Sequence, residues 1–195
     1  MNDLTVIVAV YNTAQYLQEC LDSIFNQSYK DFDILLVDDC STDGSAQICE
    51  KYKDDYTERN VEVLHNDVNL GVSGTWEKAV CHVKSKWIFV VDSDDLIHPE
   101  LLKTLMHFIK SPMGERIDIF EVGQIVLNDS EIERYSWKSL ESPRFMVKCG
   151  NVSVKEKCDI NNGLGFSKNL IRRELCFAVD YSKYKERWPR RFFND

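Results

Sequence analysis

A chain of 195 residues, 44% of them hydrophobic and 29% charged, is long enough for one domain, or one domain with an appended piece, built around a sizeable core. Its net charge of −8 argues against nucleic acid as the main partner, because phosphate backbones are held by clustered Lys and Arg. No apolar stretch approaches the roughly 20 residues that span a bilayer, and no basic region precedes the first apolar run as it would in a signal peptide. The cysteines, at positions 20, 40, 49, 81, 149, 158 and 176, are odd in number and lack C-x-x-C spacing. That favours reduced thiols in a cytoplasm over a disulfide framework or a zinc site.

The first half alternates between strand and helix patterns. LTVIVAV (4–10) is a continuous β-branched run of the kind that a strand covered on both faces shows. AQYLQECLDSIFNQ (14–27) places Tyr16, Leu17, Cys20, Leu21, Ile24 and Phe25 on one helical face. A strand at 32–38 and a more polar helix at 45–56 follow, then a strand at 61–66 and a helix at 73–84. WIFVVD (87–92) reads as the fourth strand. Pro99 suits the first turn of the next helix, with Leu101, Leu102, Leu105, Phe108 and Ile109 as its buried stripe. A fifth strand is expected within 117–127. Beyond Asn128 the periodicity fades, and loops, short strands and one helix near 168–176 are expected. Four successive strand–helix units imply a mainly parallel central sheet with helices on both faces.

Such sheets bind ligands beyond the carboxyl ends of their strands, and the polar clusters fall there. DSDD (92–95) is either an acidic turn or cap, or a carboxylate site for a hard divalent cation that completes its shell with phosphate oxygens. In VDDCSTDGS (37–45), Asp43 or Ser45 suits a helix cap. Asp38 and Asp39 are left over, and a carboxylate at a strand end can accept the N–H of a pyrimidine edge. Tyr11 is either an ordinary core aromatic or a ring packed on a base. NLGVSG (69–74) lets backbone approach a ligand closely before a helix, yet it is neither a P-loop nor a dinucleotide fingerprint.

In order, VIVAVYNTAQYLQECLDSIFNQSYKDFDILLVDDCSTDGS, NLGVSG and WIFVVDSDDLIHPELL resemble the nucleotide-sugar-binding half of family 2 glycosyltransferases of the GT-A fold, over roughly residues 3–110. The resemblance implies a donor half at 1–110 and a less regular acceptor-side half at 111–195. It implies that Val10, Tyr11, Asn12 and Asp39 hold a uracil-type base, flanked by Asn69 and Gly71. Asp92 and Ser93 would lie by the nucleotide, and Asp94, with Asp92, would hold Mn2+ or Mg2+. The family's acidic base is matched by Asp195, with Asp180 as the fallback. Three departures stand out: Ala9 where Pro is usual, Cys40 where Gly is usual, and Trp76–Glu77 where Arg–Asn is usual.

The reading is therefore an inverting, metal-dependent transferase that moves a sugar from a UDP-sugar to a hydroxyl of a glycan or lipid-linked acceptor. It is expected in the cytoplasm, where the basic run 183–191 would give peripheral contact with the inner face of a membrane. Two alternatives are a donor-binding but catalytically incomplete domain and a sugar-phosphate nucleotidyltransferase. The second is disfavoured because YNTAQY lacks a Gly-rich signature with a basic residue.

Overall fold

The computed structural model describes residues 2–112, 114, 119–122, 145–146 and 169–177. The first half forms β1 (Leu4–Val10), α1 (Ala14–Phe25), β2 (Asp33–Asp38), α2 (Ser45–Asp55), β3 (Val61–His65), α3 (Gly71–His82), β4 (Trp87–Asp92) and α4 (Leu101–Ile109). Beyond it lie β5 (Ile119–Val122), β6 (Phe145–Met146), β7 (Asn169–Arg172) and a short helix, α5 (Arg173–Cys176). The strands make one seven-stranded sheet in the order β3-β2-β1-β4-β7-β5-β6.

β1 to β4 pair in parallel, as alternating strands and helices require. β7 then adds antiparallel to β4, and β5 and β6 continue antiparallel to their neighbours. The mainly parallel expectation thus describes the first half, and the later strands extend the sheet with reversed polarity. The segment 168–176 is a correction. Its first part is β7, not helix, because Leu170 and Ile171 pair with Phe89 and Ile88 and are buried. The Arg172 guanidinium lies 4.7 Å from the Trp87 ring centroid, which holds the strand at that register.

Strand side chains alternate between two apolar layers. Leu4, Val6, Val8 and Val10 of β1 join Ile34, Leu36, Phe89 and Val91 under α1, α2 and α4. Ile7, Leu35, Val37, Ile88 and Val90 face α3, where they meet Trp76, Ala79 and Val80. The α1 stripe is Leu17, Cys20, Leu21, Ile24 and Phe25. Tyr16, expected on that face, is 47% exposed, since it sits at the edge of the apolar arc. On α4 the buried stripe includes Met106, while Phe108 and Ile109 are only partly covered. Pro99 lies in the turn before α4, closed by Leu101 N–H to the His98 carbonyl at 2.9 Å.

Gln27, just beyond α1, is fully buried. Its amide donates to the carbonyls of Ser23 (3.1 Å) and His98 (2.8 Å), and its oxygen accepts the Leu102 N–H at 3.1 Å. One side chain thereby ties the end of α1 to the start of α4 and fixes the far end of the acidic segment after β4. Removing it leaves the buried Leu102 N–H without its acceptor and takes a donor from the Ser23 carbonyl, while the His98 carbonyl keeps the Leu101 N–H, so Gln27→Ala is expected to lower stability by about 1–3 kcal/mol. Urea denaturation would measure this, and a loss well under 1 kcal/mol would mean that the bridge contributes little in solution.

Candidate functional site

The order β3-β2-β1-β4 means that the chain leaves β1 toward one edge and returns to β4 on the other side. That reversal opens a crevice at the carboxyl ends of β1 and β4, where open α/β sheets take their ligands. Register aligns the strand ends: Val10 pairs with Asp38, Ala9 with Asp92, and Asp38 with His65. Four loops therefore emerge at one level.

Side chains stitch the first two loops together. Asn12, at φ +51°, gives its N–H to Ser41 Oγ (3.1 Å), and its Oδ1 accepts the Thr42 N–H (2.8 Å). Thr13 N–H donates to Ser45 Oγ (3.0 Å), and Ala14 N–H to Asp43 Oδ2 (2.9 Å). Asp43 Oδ1 takes the N–H and hydroxyl of Ser45, at 3.0 and 2.6 Å. One carboxylate thus serves the first residues of two helices. Burial works against its charged form, but these bonds outweigh it and hold the Asp43 carboxyl below the usual range. The β4 loop joins through the Thr13 hydroxyl, which donates to Ser93 Oγ at 3.0 Å.

The third loop is organised by Asp39, which is only 4% exposed. Its N–H bonds the Val10 carbonyl at 2.8 Å. Its Oδ1 accepts from Asn66 Nδ2 (2.7 Å) and the Leu70 N–H (2.8 Å), and Oδ2 has no partner among the described residues. Asn69 Oδ1 accepts the Gly71 N–H at 2.8 Å, and Gly71 has φ +70°, a conformation that suits glycine. Those two features start α3 at 71 rather than 73.

Of the residues singled out in the sequence, Tyr11, Asn12, Asp39, Asn69, Gly71, Asp92, Ser93 and Asp94 stand along this edge. Tyr11 is 37% exposed. Val10 ends β1 with its side chain in the core, so only its backbone faces the loops. Ser93 is buried, with its hydroxyl turned to Thr13. Asp180 and Asp195 lie outside the described residues. Thr13, Ser41, Asn66, Thr75 and Lys78 also belong to this edge; none is singled out by the sequence, because their signal is mutual placement, which periodicity does not carry.

Asp92 is half-buried and Asp94 exposed. The Asp92 carbonyl accepts the Cys20 thiol (3.4 Å) and the Asp95 N–H (3.0 Å). Burial, and then the negative fields of Asp95, Asp94 and Asp92, push the Cys20 thiol well above its ordinary value and keep it protonated. The Asp94 carboxylate makes no hydrogen bond among the described residues. No group of three or more His, Cys, Asp or Glu closes into a cage among those residues. Two oxygen donors at an open edge suit an ion of the Mg2+ type, which keeps waters and takes substrate phosphates as its remaining ligands.

This arrangement, a doubly wound sheet with its acidic strand end beside the switch point, is that of the GT-A class. The family model for glycosyl transferase family 2 matches residues 5–174, and the chain belongs to that family. Glycosyltransferase GlyG of Streptococcus pneumoniae is 36% identical over 102 residues, covering 52% of this chain and 33% of GlyG. The crystal structure of Staphylococcus aureus TarS 1–349 in complex with UDP-GlcNAc matches with 32% identity and a TM-score of 0.58, over 66% of this chain and 36% of that one. The chain thus spans about a third of the length of these relatives. A mannosyltransferase of Pyrobaculum calidifontis in complex with GDP-Man and Mn2+, at 21% identity and TM-score 0.57, covers 63% of this chain and 36% of its own, and is alike in fold. No helix among the described residues is long and apolar enough to cross a membrane.

At the outer side of the edge, His65 bridges two acids: Nε2 lies 2.8 Å from Glu50 Oε1 and Nδ1 3.2 Å from Asp38 Oδ2. The Glu50 hydrogen bond, helped by Asp38, outweighs partial burial and raises the imidazole pKa, while Glu50 is lowered by the same bond. The folded histidine therefore binds its proton more tightly than the unfolded one. Its stabilising contribution is complete below the ordinary value of about 6.5 and fades as pH rises through the higher folded value. An NMR titration should place His65 above 6.5, and Glu50→Gln should bring it back down. An unchanged value in the variant would mean that the pair does not form in solution.

Proposed function

We propose that the chain carries the donor site of a glycosyltransferase that moves a sugar from a UDP-sugar to a hydroxyl of a glycan or lipid-linked acceptor. The observation that carries this is the division of labour at the sheet edge. Asp39 is buried with one oxygen fixed by Asn66 and Leu70 and the other left to accept a base N–H. Two strands away, Asp92 ends β4 and Asp94 follows it in the turn. β2 and β4 flank β1, so these ends lie roughly 10 Å apart across the strands, a span that a nucleoside diphosphate bridges. The UDP-GlcNAc bound by the TarS relative supports a uridine donor here.

In this reading Tyr11 and Asn12 border the base, Asn69 and Gly71 line its other side, and Asp92 and Ser93 close the site near the ribose. The chain would divide into a donor half at 1–110 and an acceptor-side half at 111–195. Asp94, with Asp92, would hold Mn2+ or Mg2+; when bound, the ion would offset the charge that builds on the departing diphosphate. Asp195, with Asp180 as the fallback, would take the proton from the acceptor hydroxyl as that oxygen attacks the anomeric carbon in line. A single displacement inverts that carbon.

Calorimetric titration of UDP with and without Mn2+ tests this. The native chain should bind UDP far better with metal present, and Asp94→Ala should weaken the metal-dependent component about tenfold or more. Absence of UDP binding under both conditions would overturn the nucleotide-sugar reading.

A further inference from the structure

Lys78 lies on α3, one residue before the buried Ala79, and its stem is exposed. Its ammonium nevertheless reaches inward across the β3–α3 loop. It donates to Asn66 Oδ1 at 2.6 Å and to the His65 carbonyl at 3.2 Å. Asn66 is itself buried. Its amide nitrogen donates to Asp39 Oδ1 (2.7 Å) and Thr75 Oγ1 (3.3 Å), and its backbone N–H is fixed on the Asp38 carbonyl at 2.8 Å.

The polarity of this chain of bonds is set from its outer end. An ammonium has three donors and no acceptor, so it takes only the oxygen of the Asn66 amide. The nitrogen must then face Asp39. Turning the amide over would set its N–H2 against the ammonium and its oxygen against a buried carboxylate, two repulsions in a poorly screened place. Because Asn66 and Leu70 both hold Oδ1, the direction of Oδ2 follows from where Asn66 points.

We propose that Lys78 is a positioning residue of the donor site: through Asn66 it aims the second oxygen of Asp39 and so sets which base is accepted. This rests on the uridine reading above. Uracil presents an N–H at N3, which a fixed carboxylate oxygen accepts. Cytosine presents a lone pair at the same place, which that oxygen repels. A carboxylate free to rotate discriminates less between them, while the diphosphate and metal contacts stay as they are. Lys78 therefore acts on the preference between bases more than on nucleotide affinity as a whole.

The test is competition calorimetry of UDP against CDP, with Mn2+ present, on the native chain, Lys78→Met and Lys78→Arg, alongside thermal unfolding. The native chain should prefer UDP. Lys78→Met should cut that preference about fivefold with little change in melting midpoint, and Lys78→Arg, which keeps a cationic donor, should retain most of it. If Lys78→Met leaves the ratio within about twofold of native, or weakens both nucleotides equally, the positioning role is overturned while the uridine reading stands. If the native chain binds no UDP, both fall together.

Discussion

In a parallel sheet a slip of one residue turns every side chain to the opposite face, and β1 is held in register on both sides at once. Its even-numbered residues, Leu4 to Val10, are buried against α1, α2 and α4, while Ile7 is buried against α3. With both layers specified, the pairings Val10–Asp38 and Ala9–Asp92 leave no freedom in where β2 and β4 end. The acidic residues are therefore delivered to one level by burial of residues well below them. Ala9, where the family usually has proline, sits inside this ladder and is tolerated because its neighbours already fix the strand.

The loops above the sheet face a different problem. Each has backbone N–H groups that no ladder satisfies, and short polar side chains of the adjacent loops supply the acceptors. Ser41, Ser45 and Asp43 serve Asn12, Thr13 and Ala14. This sorts the aspartates. Asp43 is spent on two helix starts, and Asp38 on the Ser41 N–H and His65. Asp39 is half committed. Asp94 is exposed with no hydrogen bond among the described residues. The sequence sets Asp43 apart as a cap but leaves Asp38 and Asp39 alike; the bonds they make separate scaffold from candidate ligand.

That distinction marks what the sequence could reveal. The continuous apolar runs at 4–10 and 87–92 coincide with β1 and β4 residue for residue, since a strand buried on both faces has a signal of its own. Helix ends were less legible. Asn69 and the left-handed Gly71 start α3 two residues early, a local bond rather than a periodic feature. The segment 168–176 satisfies both strand and helix patterns, and a non-local partner, β4, decides in favour of strand for 169–172. Asn66 and Lys78 were invisible because a polar network has no spacing rule; its members meet only once β2, β3 and α3 are assembled.

The pair Trp76–Glu77, where the family usually carries Arg–Asn, gains its meaning from the helix on which it lies. Successive helical residues point about 100° apart, so Trp76 turns inward and Glu77 outward. Trp76 is buried in the layer that holds Ile7, Val80 and Val90, where an aromatic ring adds contact area that a guanidinium would have had to leave for solvent. Glu77 is exposed and adds negative charge to the surface of α3. At these two positions the chain thus has an aromatic ring in the core and a negative charge on the surface, and no cation. Lys78, the next residue along, restores one, with its ammonium directed over the β3–α3 loop to Asn66. The ammonium of α3 thus meets the amide of Asn66, whose nitrogen in turn holds Asp39 Oδ1.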